Sequence, residues 1–206
     1  MSMWTARMWE LMKMAMTDGM KLWRELDVET YILAYGSNLS WQRMAQRCPD
    51  MQIIGTTVIP GYRMLFKQSR TGAYCTIEQD ANCCVPALVY KISAEDETRL
   101  DRCEGYPKYY YKREFLLPVR TLEGRRLRKR RSCIAYILHE DRLLGEPSAE
   151  YYSIVESGYQ AWDFDLAVLE KALSDSIGTK AAAKWLAAYR KNKKEPRRWT
   201  AKTFSP

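Results

Sequence analysis

The sequence predicts an α+β protein whose mixed sheet is closed or strongly curled. Short apolar segments separated by turn residues, which are typical of strands, fill the middle of the chain. Segments with a helical spacing of apolar residues lie mainly at the two ends, and no segment is repeated. A chain of 206 residues with 47% apolar content can bury one substantial core.

Residues 1–29 are predicted to form an N-terminal helical extension. Trp and Met residues recur there at three- and four-residue spacing, which predicts one or two amphipathic helices packed on the body. The first strand follows at Thr30–Tyr35, and Ser40 is placed to cap a short helix over 41–47. Further strands are predicted at 51–59, 62–68, 73–78 and 84–92, with turns at Pro60-Gly61 and at 70–72.

The second half of the chain continues this pattern. Ser93 begins a segment that resembles a capping box, so a helix is expected to run to about Cys103 and to end at Gly105. A strand over 109–120, a hairpin at Glu123-Gly124 and a strand over 131–138 are predicted to follow. The remaining helices are predicted at 149–161, from Asp163 or Asp165 to 174, and at 178–190. We assign 30–175 to a central domain and 176–206 to a C-terminal helix and basic tail.

The net charge of +8 is concentrated in two segments. Arg120–Arg131 carries +6 and Lys180–Lys202 carries +8, so the rest of the chain carries −6. An acidic body with two basic segments argues against a protein that is wholly a polyanion binder. No run of about 18 apolar residues is present, which predicts no membrane span, and the first residues lack the pattern of a secretory signal.

The chain contains one histidine, His139, and six scattered cysteines without a Cys-x-x-Cys pair. Histidine-dependent nucleophilic centres could therefore use only that residue, and a zinc site would need mostly cysteines. Free thiols in a reducing compartment are the expected state of the cysteines, so we predict a cytoplasmic protein without metal or cofactor. A thiol or metal protein built on these cysteines is the least favoured alternative.

Two short segments carry candidate chemistry. Tyr35-Gly36-Ser37-Asn38 ends the first strand, and glycine with successive N–H groups there can form a concave anion site. Glu104 ends the helix that begins after Ser93. The negative end of the helix dipole destabilises an anion at that place, which would suit proton transfer near neutral pH. Taken alone, each segment is also ordinary surface or turn chemistry.

In this order, together with a tyrosine-rich strand after Glu104-Gly105, the two segments resemble the gamma-glutamylcyclotransferase family, also called the AIG2-like superfamily. The resemblance runs from about Tyr31 to about Leu173 and includes Pro147-Ser148-Ala149-Glu150-Tyr151. It implies a small mixed β-barrel of about six strands flanked by helices. It also implies an enzyme that cyclises a γ-glutamyl group to 5-oxoproline and releases the attached amine.

The resemblance also implies which residues act. The proton-transfer residue would be Glu104. The turn would bind the α-amino-acid end of the substrate through backbone amides, and the looser matches are a tyrosine on the next strand and a late tyrosine. The implied binding residues are Tyr35, Gly36, Ser37, Asn38, Leu39, Tyr109 or Tyr110, and Tyr151. Pro86 departs from the family, which usually has a glycine near there, and proline fits a strand only at an edge or a bulge.

A second class of function remains open at this stage. The basic hairpin and tail could make the chain an inactive or regulatory member of the same fold that binds a polyanion or a protein. A solvated hairpin tip is the simpler interpretation, so nucleic acid is possible but not favoured. The sequence does not identify the leaving amine or the oligomeric state.

Overall fold

A five-stranded mixed sheet forms the centre of the computed structural model, which describes residues 30–193. The predicted N-terminal extension and the end of the basic tail lie outside the described residues. The strands are β1 (Thr30–Ala34), β2 (Gln52–Ser69), β3 (Gly72–Ile92), β4 (Tyr110–Leu117) and β5 (Arg131–Leu138). Five helices flank them, which confirms the α+β class.

The strand order is β2-β3-β1-β5-β4. The central strand β1 runs antiparallel to β3 and parallel to β5, whereas β2–β3 and β4–β5 are antiparallel pairs. The sheet is not closed, so the closed-barrel form of the prediction is wrong. Thr56 of β2 nevertheless exchanges two backbone hydrogen bonds, of 2.8 and 2.9 Å, with Arg120 just beyond β4. That isolated bridge brings the two ends of the sheet order near each other.

Two long strands replace four predicted ones. The Pro60-Gly61 turn does not form, because β2 continues through it with a shift of register between Pro60 and Tyr62. Pro60 pairs with Cys84 and Tyr62 pairs with Gln79, so Gly61 lies opposite a longer irregular stretch of β3. Gly61 has a φ of +73°, a conformation that glycine adopts without strain. The glycine therefore forms a bulge within a strand instead of ending it.

Pro86 lies in β3 opposite Val58 of β2. The pairing of β3 with β1 ends at Leu88, so β3 has only one paired neighbour at the proline. A residue without an N–H group is tolerated where one side of the strand is unpaired. The structure thus accommodates Pro86, the proline that is unusual for a strand.

The helices begin and end close to their predicted positions. They are α1 (Trp41–Arg47), α2 (Ala94–Glu104), α3 (Ala149–Ala161), α4 (Leu166–Ile177) and α5 (Thr179–Asn192). Ser40 and Ser93 accept hydrogen bonds from the backbone N–H groups of Arg43 and Asp96, as N-caps do. Gly105 ends α2 with a φ of +70°, the left-handed conformation that was expected there.

The core lies between the sheet and helices α3 and α4. Ile32 of β1, Phe66 of β2 and Tyr90 of β3 are fully buried in it. Helix α4 is joined to β2 by Ser176, whose Oγ accepts a 2.8 Å hydrogen bond from the Phe66 N–H group. None of the helices within residues 30–193 is long and apolar enough to cross a membrane.

Candidate active site

The turn after β1 is a 3-10 turn at Ser37–Leu39, and neighbouring elements hold it in place. The Leu39 N–H group donates to the Gly36 carbonyl oxygen at 3.0 Å. The Tyr90 hydroxyl donates to the Asn38 carbonyl oxygen at 3.1 Å, and the Trp162 indole N–H donates to the Leu39 carbonyl oxygen at 2.8 Å. The chain is therefore rigidly placed where β1 ends, and the first N–H groups of the turn have no acceptor within it.

Leu39 is the one predicted binding residue of this turn that does not line the pocket. Its side chain is buried against Gly158 of α3, and its N–H and carbonyl groups are both used within the protein. Leu39 thus anchors the turn to α3. The four other residues of the predicted segment, from Tyr35 to Asn38, border a common pocket.

Glu104 reaches this turn from the end of α2. Its Oε1 atom accepts a 3.0 Å hydrogen bond from Asn38 Nδ2 and a 2.8 Å charge-assisted hydrogen bond from Arg47 Nη1. The same Arg47 nitrogen donates to Asn38 Oδ1 at 2.8 Å. Both contacts of the carboxylate are to Oε1, and no residue within 30–193 bonds to Oε2. One oxygen is therefore fixed while the other is free to interact with a ligand.

Arg47 changes the electrostatic argument made from sequence. The helix dipole alone disfavours a carboxylate at the end of α2. The Arg47–Glu104 ion pair at 2.8 Å opposes that effect, and the two side chains are only 22% and 13% exposed. The ion pair also fixes the direction of the carboxylate. The Glu104 carboxyl group is thus held in one orientation at a largely buried place.

Four tyrosines line the pocket, and three of them, Tyr35, Tyr110 and Tyr151, are among the binding residues expected from sequence. Burial raises the pKa of each of them, so all three hydroxyls stay protonated at neutral pH. The Tyr35 hydroxyl donates to the Tyr136 carbonyl oxygen, and the Tyr151 hydroxyl accepts a 3.0 Å hydrogen bond from the Cys75 N–H group. The pocket wall therefore consists mainly of neutral hydroxyl and backbone groups.

The structure separates the two tyrosines that the sequence left as alternatives. Tyr110 borders both the inner pocket and the cleft outside it. Tyr109 borders only the outer cleft, where its ring covers Gly105. A Cβ atom on Gly105 would lie 2.6 Å from the Tyr109 ring, so the glycine permits that close approach as well as the end of α2.

Cys75 of β3 forms the wall opposite Gly36. A Cβ atom on Gly36 would lie 3.0 Å from the Cys75 Cβ atom and 3.4 Å from the Tyr151 hydroxyl. The φ of Gly36 is −116°, outside the left-handed region, and these short contacts favour glycine at this position. Burial raises the pKa of the Cys75 thiol to about 12, which makes it a poor nucleophile at neutral pH.

Sequence reasoning missed Arg47, Cys75 and Tyr136, which contact or border this pocket. Tyr136 donates a 2.5 Å hydrogen bond to Asp101, a residue one helical turn before Glu104. Asp101 is also paired with Lys112 of β4 at 2.7 Å, so α2 is tied to the sheet beside the site. The three-residue spacing of Asp101 and Glu104 was a usable signal that both carboxylates lie on one face of α2.

The other features singled out from sequence lie elsewhere. No residue of the basic segment 120–131 borders the pocket or the outer cleft. His139 contacts the Pro107 carbonyl oxygen through Nε2 at 2.9 Å and borders neither the pocket nor the outer cleft. Within residues 30–193, no group of three His, Cys, Asp or Glu side chains is arranged to hold a metal ion.

Comparison with known proteins gives a consistent result. The family described as "Gamma-glutamyl cyclotransferase, AIG2-like" matches residues 32–162. A solved structure named gamma-glutamyl cyclotransferase is 25% identical with a TM-score of 0.59, and the match covers 70% of this chain and 86% of that one. An uncharacterized human protein is 26% identical over the same shares, with a TM-score of 0.58. YkqA from Bacillus subtilis is similar in fold, at 21% identity and a TM-score of 0.52 over 69% of this chain and 52% of its own. No curated protein sequence matches the chain.

Proposed function

The chain belongs to the gamma-glutamyl cyclotransferase, AIG2-like family, and on that basis we propose that it is an enzyme that cyclises a γ-glutamyl group to 5-oxoproline. The products would be 5-oxoproline and the amine or amino acid that was attached to the γ-carbonyl. One observation supports the proposal most strongly. Glu104 and the turn at Gly36–Asn38, 66 residues apart at their point of contact, meet in one pocket at 3.0 Å.

The proposed reaction begins with proton transfer to Glu104. The free Oε2 atom takes a proton from the α-ammonium group of the substrate, which makes the nitrogen nucleophilic. That nitrogen attacks the γ-carbonyl carbon, a five-membered ring forms, and the carbonyl oxygen becomes negative. The bond from carbon to the leaving nitrogen then breaks. Glu104 returns its proton to that nitrogen, and the ring nitrogen gives up its second proton to the released amine, so the carboxylate is regenerated and no other reactant is needed.

The pocket suits this sequence of steps in its charge as well as in its shape. The nucleophile belongs to the substrate, so the protein has only to orient it, and intramolecular closure removes most of the orientational entropy cost. The backbone N–H groups at Gly36–Asn38 would hold the α-amino-acid end. Protonated hydroxyls such as those of Tyr110 and Tyr151 are available, with backbone groups, to stabilise the developing oxyanion. The proposed steps use no metal ion or cofactor.

The test is turnover of a panel of γ-glutamyl compounds, with 5-oxoproline detected by mass spectrometry. Glu104→Gln is the informative variant, because its amide oxygen can still accept from Asn38 and Arg47 while proton transfer is lost. We expect the rate to fall by about 10²- to 10⁴-fold with little change in the melting temperature. Glu95→Gln is the matched control, since Glu95 lies on the same helix but is 72% exposed. Near-normal turnover by Glu104→Gln would rule out this role for Glu104.

A further inference from the structure

A second cavity of about 390 Å³ opens outside the pocket. Four residues border both spaces: Ser37, Glu104, Tyr110 and Tyr151. A ligand whose one end lies at the turn would therefore pass Glu104 and continue into the outer cavity. In the proposed reaction, the outer cavity is where the leaving group lies.

Arginines from three separate elements converge on this outer cavity. Arg43 comes from α1, Arg70 from the turn between β2 and β3, and Arg102 from the last turn of α2. None of the three is paired with a carboxylate within residues 30–193. The fourth arginine of the cavity, Arg47, is already paired with Glu104, which is the only carboxylate among the described residues that border the space.

This concentration of positive charge is not a consequence of overall composition. Outside the two basic segments, the chain carries a net charge of −6. All three arginines belong to that acidic part, in which other cations, such as Arg99 and Lys112, are paired with carboxylates. Three guanidinium groups around one concave site, none of them paired with a carboxylate of the described residues, form a positive potential that attracts anions. Guanidinium groups also match carboxylate and phosphate in geometry.

We infer that the leaving amine carries an anionic group, a carboxylate or a phosphate, which the cluster of Arg43, Arg70 and Arg102 recognises. The inference rests on the proposed function, because it assigns the outer cavity to the leaving group. It predicts that amino acids or phosphorylated amines are released in preference to neutral amines. Diamines are disfavoured most, because their second ammonium group would lie among the three cations.

The experiment compares matched substrates that share the γ-glutamyl group. Any contact to the α-carboxylate of that group therefore cancels in the ratio of kcat/KM within a pair. γ-Glutamylglycine is paired with γ-glutamylglycinamide, and γ-glutamylphosphoethanolamine with γ-glutamylethanolamine. γ-Glutamylputrescine supplies the cationic leaving group. An exposed ion pair contributes up to about fivefold and the anion would meet more than one of the three arginines, so we expect an anionic substrate to exceed its neutral partner about tenfold in kcat/KM. The two pairs distinguish carboxylate from phosphate as the preferred anion.

The variant that tests the cluster replaces Arg43, Arg70 and Arg102 with Gln. We expect the ratio of kcat/KM within each pair to fall towards one, and the wild-type ratio to decrease as salt is raised. The control replaces Arg125, Arg126 and Arg128 with Gln, which removes the same charge from the exposed hairpin and should preserve the ratio. Equal turnover of anionic, neutral and cationic substrates by the wild type would overturn the inference but leave the proposed function standing. If no compound yields 5-oxoproline, the proposed function is wrong and the inference falls with it.

Discussion

Gly36→Ala tests whether the turn after β1 binds the substrate. The added Cβ atom would lie 3.0 Å from the Cys75 Cβ atom, closer than side-chain carbons normally approach. Neither atom is at the end of a flexible side chain, so the backbone of the turn or of β3 must move. The other close neighbour is the Tyr151 hydroxyl at 3.4 Å, which is itself held by the Cys75 N–H group. The strain would therefore fall on both walls of the pocket.

The expected size follows from that contact. Overpacking by one methyl group in a tightly packed site costs about 1–3 kcal/mol. If the displacement misaligns the γ-glutamyl group, the loss appears as about 5- to 150-fold in kcat/KM, with kcat lowered and KM raised. The free energy of unfolding should fall by no more than the same 1–3 kcal/mol.

Steady-state kinetics of a double-mutant cycle measures the effect. Cys75→Gly removes the atom that the new methyl group meets, whereas Cys75→Ala keeps that atom and removes only the sulfur. We expect kcat/KM of Gly36→Ala to be partly restored by the glycine and not by the alanine. Unchanged kinetics in Gly36→Ala would place the substrate elsewhere. Equal rescue by both cysteine variants would show that the Cβ contact is not the cause.

Two further predictions concern the support of the turn and the basic hairpin. Gly158→Ala would place a Cβ atom 2.5 Å from the Leu39 Cβ atom. We therefore expect denaturant titrations to show a free energy of unfolding lowered by about 1–3 kcal/mol. This loss should outweigh the helix propensity of alanine, which favours the helix by about 1 kcal/mol relative to glycine. The exposed Gln160→Ala on the same helix is the control, and a stabilised Gly158→Ala would contradict the packing argument. A second variant replaces five hairpin residues with Gln, namely Arg125, Arg126, Arg128, Lys129 and Arg130. These residues are exposed and border neither cavity, so turnover should change less than about twofold. Retention on heparin should decrease, because it depends on the positive charge that is removed. Arg131 is kept because its guanidinium group lies over the Tyr31 ring at 5.5 Å. Lost turnover with retention intact would mean that the hairpin reaches the pocket.

Local sequence signals predicted most of the elements because each depends on a few neighbouring residues. Serine N-caps predicted the starts of α1 and α2, and Gly105 predicted the end of α2. The error at Pro60-Gly61 has a clear cause. A proline and glycine pair favours a turn, yet here it lies in a strand that is paired on both sides of a bulge. Whether glycine turns the chain or forms a bulge depends on the partner strand, which local sequence does not contain.

The site was less predictable from residues alone, because its contacts join distant segments. Only the resemblance to a family linked Glu104 to the turn at Gly36–Asn38. Arg47 lies in a short helix with other polar residues, and nothing in its spacing distinguishes it as the partner of a carboxylate 57 residues away. The choice between Tyr109 and Tyr110 was easier to make from the sequence. Adjacent residues at the start of a strand point to opposite sides, so only one was expected to face the inner pocket.

The structure divides the proposed site into two parts with different physical origins. Strand ends and a core-anchored turn form the inner pocket, so changes there would disturb packing as well as binding. The outer cavity takes its charge from a β-turn and from residues on two helix surfaces, where substitutions usually alter stability little. Arg43, Arg70 and Arg102 could therefore be exchanged without disturbing Glu104 or the turn. A fold of this kind can keep the cyclisation chemistry constant while the charge of the outer cavity selects the leaving amine.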